Sequence, residues 1–196
     1  MGGMSSKRRQ LLFVGLDNSG KSTIVNRLLP TEERSMDVVP TLGISRERVS
    51  LPGNISATCL DLSGQSRFRD NWSKFADEAD ALVLVVDGSD TLRLAVAKDE
   101  FEMLLQSDQV KFRRLPILIF SNKKDVAGHK SAADVSRELE LHLLKDNNWI
   151  LETSSPCLFT SPRIFACKTS GQQSKEYTEF SFTWHMLHHL YHDLMK

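Results

Sequence analysis

The chain has no surplus of charge: 25 basic residues balance 25 acidic ones among 196. A global field that would draw in nucleic acid or bulk membrane is excluded, and nucleic acid is not an expected partner. No apolar run approaches the length needed to span a bilayer, and no basic start, apolar stretch and small-residue cleavage site mark a signal peptide. Cysteine is scarce. Cys59, Cys157 and Cys167 lie far apart, which suits reduced thiols in the cytosol rather than a disulfide framework or a zinc site. Internal repeats and low-complexity blocks are missing too.

What is there alternates. Near-continuous apolar runs at Leu11–Leu16, Ala81–Asp87 and Leu115–Ser121 read as parallel strands covered on both faces. Two weaker runs, Gly43–Leu51 and Ile55–Leu62, flank "LPGN" and read as an antiparallel hairpin. Helical patterns fall at Lys21–Leu29, Thr91–Gln106, Ala132–Leu144 and Tyr177–Met195. The expectation is an α/β fold: a doubly wound, mostly parallel sheet with one antiparallel hairpin. Its ligands should bind at the carboxyl ends of the strands.

The stretch "GLDNSGKST" stands between the first strand and the first helix. It fits G-x-x-x-x-G-K-[ST] as Gly15, Gly20, Lys21 and Ser22. The glycines let the backbone wrap a phosphate. The loop and helix start, through Asp17, Asn18, Ser19, Gly20 and Thr23, turn amides inward as donors. Lys21 would reach the β- and γ-phosphates, and the Ser22 hydroxyl would ligate Mg2+.

The base is read further on, at Asn122, Lys123 and Asp125 in "SNKKD". The Asp125 carboxylate can accept from both guanine N1–H and N2–H₂, donors that adenine does not offer there. The Lys123 stem would cover a face of the base. Between the two motifs lie "PTLG" and "DLSGQ". Thr41 would ligate Mg2+ and sense the γ-phosphate, and Asp61 would hold Mg2+ through water. The Gly64 amide would bond the γ-phosphate, and Gln65 would orient the attacking water. Asp87 rivals Asp61 by pattern; Asp61 is preferred because Gly64 and Gln65 follow it. The loops Pro30–Leu42 and Ser63–Ala76 would be ordered by GTP and loosen with GDP.

With these four motifs in order, the chain resembles the small GTPases, and specifically the ARF-like family. "DNWSKF", "LRLAVAKDEF" and "RRLPILIFSNKKD" carry the likeness further, over about Lys7–Trp149. Ser63 and "DNSGK" resemble the Bardet–Biedl-associated, ciliary-trafficking branch. The resemblance implies a phosphate-loop GTPase fold whose interswitch hairpin slides by two residues, and slow GTP hydrolysis. It also implies an exchange factor, an activating protein and a GTP-dependent effector, with a ciliary coat complex in view. Asp17 would either repel the γ-phosphate or cap its own loop, and no arginine in cis is evident. The family's aromatic effector trio falls on Ile44, Leu60 and Phe75, so one aromatic survives. Trp72 reads as a partner anchor or as switch packing, the second being favoured. Two rivals stand beside the switch: a GTP-binding recruitment module that never turns over, and a phosphate-loop kinase.

The ends fit less well. Residues 1–9 read as a short basic segment, with Gly2 and Ser6 in a myristoylation pattern before Lys7, Arg8 and Arg9. Peripheral membrane contact is one outcome, and a cytoplasmic location at a membrane or the cilium base is expected. Residues 10–196 read as one GTPase domain with an insertion near 151–164. Two loops compete for guanine O6: "LETSSP" and "FACKTSG". The second, with Cys167 and Lys168, is favoured because it needs no long loop before the last helix. His185, His188, His189 and His192 share one face of that helix, opposite Phe180, Trp184, Leu187, Tyr191 and Leu194. They read as its solvated side rather than a metal site.

Overall fold

Residues 8–51, 55–144, 149–153, 164–167 and 175–177 are described by a computed structural model. The apolar run "LLFV" lies mid-sheet, in β1 (Arg9–Val14). β1 pairs in parallel on one side with β3 (Ile55–Leu62) and on the other with β4 (Ala81–Asp87). The hairpin partner of β3 is β2 (Ile44–Leu51), antiparallel and in register from Ile44 opposite Leu62 to Leu51 opposite Ile55. Beyond β4 come β5 (Ile117–Asn122) and β6 (Trp149–Thr153), both parallel. The sheet closes with β7 (Ile164–Cys167) and β8 (Lys175–Tyr177), in the order β2-β3-β1-β4-β5-β6-β7-β8. The α/β sheet is doubly wound and mostly parallel, as the sequence leads one to expect. Two further antiparallel pairings, β6 with β7 and β7 with β8, sit at its far edge.

The central strands are apolar throughout because both faces are covered. Leu12, Leu60, Leu82, Leu84 and Ile119 point to one face, under Trp72, Leu94, Phe101 and Val135. Leu11, Phe13, Val83, Val85 and Phe120 point to the other, against Ile24 and Val25. The first cover comes from α3 (Trp72–Ala76), α4 (Thr91–Gln106) and α5 (Ala132–Glu138). The second comes from α1 (Lys21–Leu28). α4 buries Leu94, Ala97, Phe101 and Leu104, a stripe at helical spacing. Its amide at Arg93 is capped by the Asp90 carboxylate at 3.2 Å.

Differences from the expectation have local causes. The helix expected over Ala132–Leu144 ends at Glu138, because Glu140 takes a left-handed φ of 49° before a 3₁₀ turn at Leu141–Leu143. Tyr177, expected to start the last helix, closes β8 instead. The remainder of that helix with its four histidines, the myristoylation pattern at Gly2 and Ser6, and most of the insertion lie outside the described residues.

Candidate nucleotide site

The carboxyl ends of β1, β3, β4, β5 and β6 share one edge of the sheet. There the loops leaving β1 and β3, with the segment before β2, line a cleft of about 290 Å³. Its floor is the phosphate loop. Gly20 caps α1 at φ 95°, and a Cβ there would meet the Asn122 side-chain amide. No acidic residue occupies the first turn of α1, so its amino end keeps its positive character for an anion. Lys21 is buried, and its Nζ donates to the Gly15 and Leu16 carbonyls at 2.8 Å each. Burial pushes its ammonium down from 10.5 to about 8, against the pull of Asp61 and Asp17. A desolvated cation held by two carbonyls is poised for an anionic ligand.

Three oxygens converge beside it. Ser22 Oγ donates to Asp61 Oδ2 at 2.5 Å, and Thr41 Oγ1 donates to the same oxygen at 3.0 Å. The two hydroxyls are 2.9 Å apart. Burial raises the Asp61 carboxyl above its usual range, with Ser22, Lys21 and Thr41 opposing. Its other oxygen, Oδ1, is buried and has no hydrogen-bond partner among the described residues. Such an orphan is costly unless something binds it. A hard divalent cation fits: the donors are all oxygen, only one is a carboxylate, and Mg2+ takes few protein ligands alongside water and phosphate. Asp87 is engaged elsewhere. Its carboxylate pairs with Lys123 Nζ at 2.7 Å and accepts from Ser89. Burial pushes the carboxyl up, but Lys123 and Ser89 outweigh it and hold it below its usual range. Asp87 therefore braces the base loop.

The switch segments close over this floor. Thr41 arrives on an irregular stretch whose start is tied back to α1 by reciprocal bonds between Asn26 and Ser35, both 2.9 Å. A Cβ on Gly64 would run into the backbone of Gly15, Leu16 and Asp17, so the second switch rests directly on the phosphate loop. Gln65 follows on the cleft wall. Trp72 is buried, and its indole donates to the Ser63 carbonyl at 3.2 Å. It packs the switch, and the anchor reading falls. Leu60 is also fully buried in the core, so it offers a partner nothing in this conformation.

Asp17 departs from both sequence readings. Its carboxylate neither caps the loop nor stands bare: it accepts from Arg93 Nη2 at 2.6 Å and faces Arg69 Nη2 at 3.6 Å. Arginines in cis, unseen in the sequence, thus flank the phosphate loop. Arg69 comes from α2 (Ser66–Arg69) and also reaches Glu100. The one available signal was the placement of Arg93 and Glu100 seven residues apart on a single helix face.

On the base side, Asn122 is fully buried and donates from Nδ2 to the Ser19 carbonyl at 2.9 Å, tying base loop to phosphate loop. Lys123 takes φ 66° just past the strand, and Asp125 lies exposed beyond it. For the O6 contact, β7 runs antiparallel to β6 with Cys167 opposite Leu151, so the strand reaches Cys167 heading away from the nucleotide edge. Lys168 itself lies outside the described residues. Thr153, beside Ser121 on β6, ends at the correct edge, which points to the disfavoured "LETSSP". The basic triplet also shrinks, since Arg9 begins β1 and pairs with Asp80 at 3.3 Å.

Comparison with known proteins agrees with this geometry. The profile of the ADP-ribosylation factor family matches residues 1–160. ADP-ribosylation factor-like protein 6 of Danio rerio is 42% identical over 147 residues, 75% of this chain and 78% of that protein. The protein of the same name from Caenorhabditis elegans is 35% identical, with 91% of each chain covered. The solved Arl6 BBS3 small GTPase of Trypanosoma brucei, with bound nucleotide analogue GppNp, superposes with a TM-score of 0.69 at 34% identity. That superposition covers 76% of this chain and 88% of the other. The chain belongs to the ADP-ribosylation factor family, in its ARF-like, Bardet–Biedl-associated branch, and is a small GTPase that binds GTP and GDP with Mg2+ and hydrolyses GTP.

Proposed function

We propose that this GTPase recruits effectors in membrane or ciliary trafficking, and that its unaided hydrolysis is slow. The observation that carries the switch is the cluster of Ser22, Thr41 and Asp61 within 2.5–3.0 Å of one another. One member, Thr41, comes from the first switch loop, so a cation held there ties the loop's position to the nucleotide. Bound Mg2+ would neutralise phosphate charge, with Ser22 and Thr41 as ligands and Asp61 acting through water.

The remaining roles fall to the protein's own groups. Lys21 exchanges its two carbonyl partners for phosphate oxygens. The Gly64 amide bonds the terminal phosphate, and Gln65 orients the attacking water. Asp125 and Lys123 read the base, and the place of Thr153 beside Ser121 at the nucleotide edge favours "LETSSP" for the O6 contact. Slow turnover is supported by the state of the nearby arginines: Arg69 and Arg93 are both engaged with carboxylates, leaving the transition-state charge to a partner's cation. An exchange factor, an activating protein and an effector go with family membership. A ciliary coat complex is the effector proposed, on the strength of the Arl6 BBS3 likeness. Among the described residues no helix is long and apolar enough to cross a membrane, so contact with one would be peripheral. Residues 10–196 are taken as one domain with an insertion near 151–164.

The test is single-turnover GTP hydrolysis by the wild type and by Gln65→Leu. The variant should keep GTP affinity and lose turnover; equal rates would remove Gln65 from the mechanism. A pull-down from ciliated-cell cytosol with GppNp-loaded and GDP-loaded protein tests recruitment, and identical captures would count against it.

A further inference from the structure

We propose that Arg69, steadied by Glu100, is a positioning residue for GTP hydrolysis: it fixes the peptide bond that joins Gly64 to Gln65 over the phosphate loop. The role rests on the switch reading above and names a part that reading lacks. The Arg69 guanidinium meets three groups. Its Nε donates to the Gly64 carbonyl at 2.9 Å. Its Nη1 donates to Glu100 Oε1, also at 2.9 Å. Its Nη2 faces Asp17 Oδ1 at 3.6 Å. The side chain is 11% exposed, so these contacts are largely shielded from water.

The first contact bears on the chemistry. The Gly64 carbonyl and the Gln65 N–H are opposite ends of one rigid plane, so holding the oxygen sets where the hydrogen points and where Gln65 departs. Among the described residues little else holds that plane, since the Gln65 amide makes just a long 3.4 Å contact there, with Ser63 Oγ. The glycine is boxed from the other side by the phosphate-loop backbone. Arg69 thus presses the plane onto a surface that fits no larger residue. Misplacing a water-orienting residue by an ångström costs rate without costing affinity.

The second contact explains why Glu100 matters. Glu100 stands on α4 and bonds no residue of the phosphate loop. It reaches the site only through the Arg69 fork, whose planar geometry lets one side chain serve a carbonyl and two carboxylates together. Glu100, Arg69, Asp17 and Arg93 alternate in sign along the row, so the charges cancel locally. Arg69 is therefore spent on position and contributes no free charge to the transition state.

The experiment uses the full chain, Mg2+ and GTP in single-turnover format, with affinities for GTP and GDP measured alongside. Glu100→Ala should slow hydrolysis by about tenfold, the loss of one charge-assisted hydrogen bond. Both affinities should stay within about twofold, since chemistry and binding separate here. Glu100→Gln keeps an acceptor and should recover most of the rate. Arg69→Lys keeps the charge but not the fork and should slow hydrolysis like Glu100→Ala. The double variant should be no slower than the worse single one, because the two act as a unit. Wild-type rates in Glu100→Ala overturn the proposal, as do rates that fall in step with both affinities. A wild type that binds no guanine nucleotide instead overturns the switch reading beneath it.

Discussion

The phosphate half of the nucleotide edge and its base half are built on opposite principles. Around the phosphates, Lys21, Asp61, Ser63 and Ser19 are buried, and two of their atoms, Asp61 Oδ1 and Ser19 Oγ, have no hydrogen-bond partner among the described residues. Around the base, Asp125 is exposed, Lys123 is braced by Asp87, and Asn122 is buried but bonded to the Ser19 carbonyl. The phosphate half carries desolvated charge that ligand binding can relieve, whereas the base half is satisfied before any ligand arrives. Affinity should therefore reside in the first and selectivity in the second.

Lys21→Met breaks this division most severely. It removes two charge-assisted bonds to phosphate, about 1.5–3 kcal/mol each, so GTP and GDP affinity should both fall by roughly 100-fold or more. The nucleotide-free protein should melt higher, because a buried charge is gone. Calorimetric titration and thermal melts read the two effects. An affinity loss of twofold or less would mean that the base half holds the nucleotide alone.

Asn122→Ala attacks the tie between the halves. The Ser19 carbonyl loses the bond from Asn122 Nδ2 inside the protein, at a cost of about 1–3 kcal/mol. GDP affinity should drop even though Asn122 stands on the base loop, and urea unfolding should shift with it. Affinity that holds while stability falls would mean the two loops keep their places separately.

The two halves were also unequally legible in the sequence. "GLDNSGKST" and "DLSGQ" specify backbone geometry at short range, and their residues stand together: Ser22 and Asp61 are in direct contact, and Gly64 lies against the loop. The parallel core was readable for a similar reason, since a strand buried on both faces must be apolar throughout, as "ALVLVVD" is. The O6 loop was hard to read because its place depends on strand direction. Whether Cys167 or Thr153 meets the nucleotide edge follows from the antiparallel pairing of β7 with β6, which no local pattern encodes. The Arg69–Asp17–Arg93 row was invisible for another reason: its members lie up to 76 residues apart, and arginines on polar faces look alike until the fold brings them together.

The smallest predicted effect tests the desolvated charge directly. In the nucleotide-free protein burial lowers the Lys21 ammonium to about 8, while in the unfolded chain it stays near 10.5. Between those values the unfolded chain binds more protons, so stability rises with pH; below about 8 both states are protonated and the burial penalty is complete. Cys59 acts in the opposite sense. Burial pushes its thiol from 9.0 up to about 12, so the unfolded chain sheds its proton first and stability falls above pH 9. Of the two, Lys21 has the larger effect between pH 8 and 9, where stability should rise by at most about 1.4 kcal/mol. Urea midpoints across that interval check it. Lys21→Met should erase the rise, and Cys59→Ala should prolong it toward pH 10.5. A flat wild-type profile from pH 8 to 9 would mean that Lys21 is not desolvated before the nucleotide arrives, and the contrast between the two halves would fail with it.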